Sequence, residues 1–466
     1  MKTETTIQAN PKIQQSEKSQ FRQYASYKPS NVEWLGDVPS HWKVTRLINR
    51  TVQIVGGDWG DDPELESDQH VLLPVIRVQD IENEYEIGDE KLTYRKIKAS
   101  KIDHRLIDNK TLLIEKSGGG EKQLVGRVAI PKKITMPSIC SNFMERIEMD
   151  EQAVPSFFNY IFHALYNQNM NFPFVQQTTG IQNLKSTYYF YTKVAYPNPT
   201  EQTAIAAYLD QATANIDQVI ATKQKQLEKL EQYKQSKIHE CVTKGLNPDV
   251  TLKPSGIDWI GDVPGHWKVE RIKDVATVVL GKMLCSEDKG SYFLKPYLKS
   301  KNIGWNELLL DKVEEMWFSE NELENLRVKK NDILMTEGGE VGKTSIWNDE
   351  LEECYIQNSV HKITFDKKNN PRYYLYLLNH IGSFGVFTHL VSTVSIGHLT
   401  KEKLVVVKVV APTLNEQNEI AKYLDDFCDK ISKEKSIIEQ QIEKLKQYRK
   451  CLIHECVTGK RKVIGE

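Results

Sequence analysis

Residues 32–47 read VEWLGDVPSHWKVTRL, and residues 257–272 read IDWIGDVPGHWKVERI. Ten of the sixteen positions are identical, at an offset of 225. A second match follows downstream: Glu201-Gln202 pairs with Glu416-Gln417, Tyr208-Leu209-Asp210 with Tyr423-Leu424-Asp425, and IHECVT at 238–243 with IHECVT at 453–458. The offset there is 215, so the stretches between the matches differ by ten residues. The chain is an internal duplication with similar ends and a diverged middle. Fixed joints around a variable middle place specificity in the middle.

The middles keep a common skeleton. Residues 74–81, PVIRVQDI, resemble 296–303, PYLKSKNI; 111–130, TLLIEKSGGGEKQLVGRVAI, resemble 332–347, DILMTEGGEVGKTSIW. Each of the latter pair is an apolar strand, a glycine-rich turn and another strand. Asn142 and Asn358 open β-rich stretches, and Pro155 and Pro371 each open a short aromatic helix, as proline does at a first helical turn. Each middle therefore predicts an α+β domain. Segments 201–243 and 416–458 differ in kind: no internal Gly or Pro, and apolar residues at alternating three and four spacing, such as Ile205, Leu209, Ala212 and Ile216, and Ile420, Leu424, Phe427 and Ile431. Such seams predict two long helices that pack on each other. Packing of each helix on its own domain, or a homo-oligomeric coiled coil, are the alternatives.

The 466 residues carry 39% hydrophobic and 27% charged residues, which fits two or three folded domains. No apolar run is long enough to span a membrane, and the start, MKTETTIQANPKIQQSEKSQ, lacks the apolar core of a signal peptide. A cytoplasmic protein is expected. Seven cysteines without a CxxC pair suggest neither a disulfide framework nor a zinc site. The net charge of −1 argues against a uniformly basic nucleic-acid binder; a basic surface would have to be local.

From about residue 28 onward the chain resembles the specificity (S) subunit of Type I restriction-modification systems. The resemblance rests on doubled motifs in order: W-x-G-x-x-P-x-x-W (Trp34, Gly36, Pro39, Trp42; Trp259, Gly261, Pro264, Trp267), P-x-[IL]-[RK]-x-x-[DN]-I, the glycine loops Gly118–Gly120 and Gly338–Gly339, the loops TTGIQNL (178–184) and STVSIGHL (392–399), and P-x-x-x-E-Q before each long helix. It implies an α+β fold in which two target-recognition domains alternate with two helical regions, packed as an antiparallel coiled coil with a pseudo-two-fold internal repeat. The expected division is a polar tail at 1–27, recognition domain 1 at 28–197, helical region 1 at 198–245, recognition domain 2 at 246–411, helical region 2 at 412–458 and a short tail at 459–466. Each domain would read one half of an asymmetric split site on double-stranded DNA. The helices would dock two methyltransferase (M) subunits, and restriction/translocase (R) subunits would join through them. The chain would hold no cofactor or metal and no catalytic residue; S-adenosylmethionine and ATP belong to the partners. A duplicated scaffold binding proteins without DNA is the rival reading.

Other motifs point away from catalysis. GGEVGKT (338–344) lacks the first glycine of a phosphate loop, Glu337 standing in its place. No Asn/Asp-Pro-Pro-Tyr/Phe segment of an adenine methyltransferase occurs. His239 and His454, each beside a cysteine near a helix end, read as a helix-end packing site or docking surface, not a Cys/His catalytic pair. The near identity of the tryptophans in both copies favours scaffold over base stacking. DNA contacts are expected from loops that combine Gly with polar side chains. In domain 1 these are Lys116, Gly118, Gly119, Gly120, Lys122, Gln123, Arg127, Gln177, Thr178, Thr179, Gln182 and Asn183; in domain 2, Glu337, Gly338, Gly339, Lys343, Ser392, Thr393, Ser395 and His398. Arg77 and Lys299 are expected to reach phosphate, and the run 91–105 is a third contact candidate.

Overall fold

A computed structural model describes residues 23–82, 86–87, 92–108, 110–120, 123–131, 134, 136–178, 180–390 and 398–463. The chain divides into two compact units. One holds the residues up to Thr222 and those from Gln441 onward; the other is Lys223–Gln440. Each long helix therefore contributes one part to each unit. The first runs Pro199–Lys244 and the second Leu414–Val457. Both lack interior Gly and Pro, and each has a glutamate in its first turn, where the helix dipole favours negative charge.

In the first unit a four-stranded sheet has the order Val128–Ala129, Thr111–Glu115, Met144–Met149, Thr51–Gly56. Thr111–Glu115 is buried along its whole length, as a central strand covered on both faces must be. A three-stranded sheet joins Ile139–Cys140 in parallel and Thr93–Lys98 antiparallel to His70–Ile76. The aromatic helix Pro155–Asn167 buries nine residues. The second unit repeats this plan. Its four-stranded sheet runs Thr344–Ile346, Ile333–Thr336, Val360–Phe365, Ala276–Leu280, and its three-stranded sheet centres on Phe293–Leu298. The helix Pro371–Ser383 matches the aromatic helix. Mixed helix and strand, doubled, is the α+β plan expected from the sequence.

The doubled motifs form one repeated joint. In the first unit Glu201 accepts from the Trp42 indole (3.1 Å) and bonds His41 (2.9 Å). In the second, Glu416 accepts from Trp267 (3.1 Å) and bonds His266 (2.8 Å). The next residue ties the helix to the loop before the aromatic helix: Gln202 accepts from Val154 N, and Gln417 from Asn370 N. Trp42 and Trp267 are fully buried. Burying roughly 200 Å² of indole is worth about 5 kcal/mol at about 25 cal/mol per Å². Trp34 donates to Lys193 O, and Trp259 packs on the core of the second unit. These tryptophans are scaffold. Helix ends close the joint: Gly459, at φ +72°, lies against Pro39 and Trp42 in the first unit, and Gly245, at φ +77°, against Trp267 in the second.

The long helices touch within each unit. Arg449 pairs with Asp217 at 3.1 Å in the first. In the second, Lys435 pairs with Glu231 at 2.9 Å, Tyr233 packs on Phe427, and Lys237 lies over Tyr423. Numbers rise on one helix as they fall on the other, so the segments there are antiparallel.

The Glu416 joint makes stability depend on pH. Burial would raise its carboxyl, but hydrogen bonds from His266, Thr413 and Trp267 hold it at about 2, below the usual 4.5. A depressed folded value stabilises above the unfolded value and loses that stability as protons bind. The wild-type chain should therefore lose stability as pH falls from about 4.5 toward about 2. Glu416→Gln should be less stable at pH 7 and lack that part of the acid slope, measured by denaturant unfolding across the pH series.

Candidate nucleic-acid interface

The first unit carries a cleft of about 910 Å³. The glycine-rich turn forms one wall with Ser117, Gly118, Gly119, Gly120, Gln123 and Arg127. Arg77, Gln79, Trp59 and the loop Ser141, Asn142, Phe143 form the rest. The structure thus brings together six residues singled out from the sequence: Arg77, Gly118, Gly119, Gly120, Gln123 and Arg127. Gly118 and Gly119 take φ +131° and +64°, conformations that disfavour a Cβ. A Cβ at Gly119 would sit 2.8 Å from Gln123 O.

The turn is set by polar groups beneath it. Glu115 ends the central strand and is almost wholly buried. It accepts from Arg127 Nε at 3.0 Å and from the Gly119 amide. Burial pushes its carboxyl up, and Arg127 partly offsets that. Strands Val175–Thr178 and Ile181–Leu184 form a hairpin whose second strand pairs with Ser117–Gly118.

Several expected contacts are engaged within their own domain. Gln182 is buried; its Oε1 accepts from Val125 N (3.1 Å) and its Nε2 donates to Gly120 O (3.0 Å). Both ends of the amide are used, so it clamps the glycine turn. Arg127 is held by Glu115 at 3.0 Å, which makes it a support for the turn. Arg77 makes two bonds to Asp80, at 2.8 and 3.2 Å, and Lys299 lies 2.6 Å from Glu314. Asp80 also accepts from Arg77 N, and Asn302 from Lys299 N. The [DN] of the shared motif therefore caps a turn, and the matched cations are tied within the domain.

Other positions remain presented at the surface. Gln177 is exposed beside Gln182 in the hairpin. Lys116 is 41% exposed and lies 3.0 Å from Glu145. Asn183 accepts from Ser117 Oγ at 2.6 Å. In the second unit Glu337 and His398 form a pair at 3.0 Å, beside buried Gly338 and exposed Gly339. Lys343 pairs with Glu340 at 2.7 Å. The segment after it is the strand Thr344–Ile346, not the helix a phosphate loop requires. Lys122, Thr179, Ser392, Thr393 and Ser395, and the Thr178 side chain, lie outside the described residues. In the run 91–105, Arg95 lies over the Trp59 ring, and Lys101 pairs with Asp58.

Trp59, Phe143 and Asn142 were not among the expected contacts, yet they line the cleft; Trp59 and Phe143 are 37% and 43% exposed. The signal for Trp59 was an aromatic residue in the loop GGDWGDDP.

The model of the Type I restriction modification DNA specificity domain matches this chain twice, over 52–231 and 264–444. The chain belongs to that family. It carries two DNA specificity domains of the Type I restriction-modification kind. It is 26% identical over 354 residues to the specificity subunit of Type I restriction enzyme MjaVIII from Methanocaldococcus jannaschii, covering 72% of this chain and 77% of the relative. The putative MjaX specificity subunit of the same organism is 25% identical over 209 residues, 43% of this chain and 47% of that one. The fold is shared with the HsdS subunit from Thermoanaerobacter tengcongensis (TM-score 0.54, 17% identity, 91% of this chain and 98% of that chain). It is also shared with a chain from a structure describing complex assembly and conformational transition of the Type I R-M system (TM-score 0.68, 16% identity, 90% and 98%). No helix among the described residues is long and apolar enough to cross a membrane.

Two outcomes distinguish support from contact. Arg127→Ala leaves Glu115 buried without its cation, so it should lower unfolding stability by about 3 kcal/mol while leaving the salt slope of DNA binding nearly unchanged. Gln182→Ala should weaken binding to all site sequences alike, with the preferred bases unchanged in a competition assay.

Proposed function

We propose that this chain chooses the target for a Type I restriction-modification complex, with each domain reading one half of an asymmetric, bipartite DNA site. The carrying observation is that two frameworks of the same strand order hold different side chains on their glycine turns. A shared framework with dissimilar tips suits two readers of dissimilar half-sites.

The long helices act as the spacer. Their contacts within each unit support an antiparallel coiled coil and a pseudo-two-fold repeat, the first half spanning 28–245 and the second 246–458. Half-sites about one helical turn apart, roughly 34 Å, would present one DNA face to both domains. Exposed aromatics on the helices, among them Tyr233, Tyr423 and Tyr448, suit docking of two methyltransferase subunits, through which restriction/translocase subunits join. The partners bind S-adenosylmethionine and ATP and carry out chemistry on the target adenine; this chain supplies specificity in the cytoplasm.

Mapping methylated adenines in cells that express the chain with its methyltransferase partner tests this reading. The expected motif is two unequal half-sites around a nonspecific spacer. Replacing residues 28–197 by the corresponding domain of a relative should change one half-site only. A single continuous palindrome would overturn the proposal.

A further inference from the structure

The residue after the central strand holds one backbone position in both units. In the first, Lys116 N donates to Phe143 O at 2.9 Å, and Lys116 O accepts from Leu184 N at 2.8 Å. In the second, Glu337 N donates to Ser359 O at 2.9 Å, and Glu337 O accepts from Leu399 N at 2.8 Å. This register matches Lys116 with Glu337. It also matches the residues that precede the two leucines, Asn183 and His398. The adjacent strand agrees: Glu145 pairs across from Ile114, and His361 from Met335, each two residues before the matched position.

The hydrogen-bonding chemistry at these positions is inverted. Lys116 offers only donors, and its ammonium is steadied by Glu145 at 3.0 Å. The Asn183 carbonyl accepts from Ser117 Oγ, which leaves the amide N–H groups as donors. In the second unit Glu337 can only accept, so the His398 nitrogen 3.0 Å away, Nδ1, carries the proton. The His398 side chain is 54% exposed and Glu337 14%, so the imidazole orients the carboxylate at the edge of the turn. His361 below is buried and bonds Leu399 O at 2.6 Å, fixing the backbone next to His398. A carboxylate repels phosphate. On a DNA-facing turn its favourable partners are the exocyclic amino groups of bases.

We infer that these matched positions set the hydrogen-bond sense of each half-site. Lys116 and Asn183 make domain 1 a reader of acceptor edges, guanine O6/N7 or thymine O4. Glu337, oriented by His398, makes domain 2 a reader of amino groups, cytosine N4 or adenine N6. The inference rests on the proposed DNA-reading role and adds the base chemistry to it.

The test uses the full chain with its methyltransferase partner and duplexes bearing the mapped site. At each position of the domain 2 half-site, a base lacking its amino group replaces the natural one: purine for adenine, pyrimidin-2-one for cytosine. One such change should weaken wild-type binding about 10-fold or more, and should cost Glu337→Gln little further. The matching experiment in the other half-site pairs 7-deazaguanine, which lacks the N7 acceptor, with Lys116→Gln. His398→Asn gives the same readout should Glu337→Gln fail to fold. If no amino deletion couples to Glu337 or His398, or if the variants weaken all sequences equally with a reduced salt slope, the assignment is wrong while the DNA-reading role stands. Failure of the unmodified wild-type complex to prefer its mapped site would overturn both.

Discussion

The indole–carboxylate clamp at the head of each long helix is the constraint on which the rest depends. Trp42 and Trp267 are buried, and a buried indole N–H needs an acceptor. Glu201 and Glu416 supply it from the first turn of a helix, where negative charge is also favoured. One bond therefore meets two needs at once, and loss of the carboxylate would leave the buried indole without its acceptor. Gln202 and Gln417 then tie the same turn to the loop before the aromatic helix. In each unit the head of the helix is thus tied to its own domain.

The clamp also explains where the duplication has drifted. Positions within it answer to several partners, so both copies keep Trp, His, Glu and Gln. The glycine turns answer to fewer. At Lys116 and Glu337 the backbone makes matching hydrogen bonds in the two units, while the side chains there differ. Divergence there costs little stability and changes what the surface offers to a ligand.

Much of this was legible in the sequence. The doubled tryptophan motif, the aromatic helices after Pro155 and Pro371 and the uninterrupted rods all stand on local signals, and the structure places helices at Pro155–Asn167, Pro371–Ser383, Pro199–Lys244 and Leu414–Val457. The glycine turn, Arg77 and Arg127 do meet at one cleft. Individual roles were less legible. Gln182 looks like a base reader because glutamine in a glycine loop is usually solvated; its burial follows from pairing with Ser117–Gly118, more than sixty residues earlier. Arg127 looks like a phosphate contact until Glu115 is found beneath it. Long-range pairing decides whether a polar side chain is tool or support, and no local pattern records it.

Cations of the two domains are also paired with carboxylates. Arg77, Arg127, Lys116, Lys299 and Lys343 each stand beside a carboxylate of their own domain. A cation paired in this way adds little to nonspecific attraction, because its carboxylate neighbour must be separated or its field shared before phosphate gains from it. Specificity is a ratio of cognate to nonspecific binding. Lowering the nonspecific term raises that ratio as surely as adding a base contact. A chain that must find one split site among many others gains from a surface whose positive charge is held in reserve.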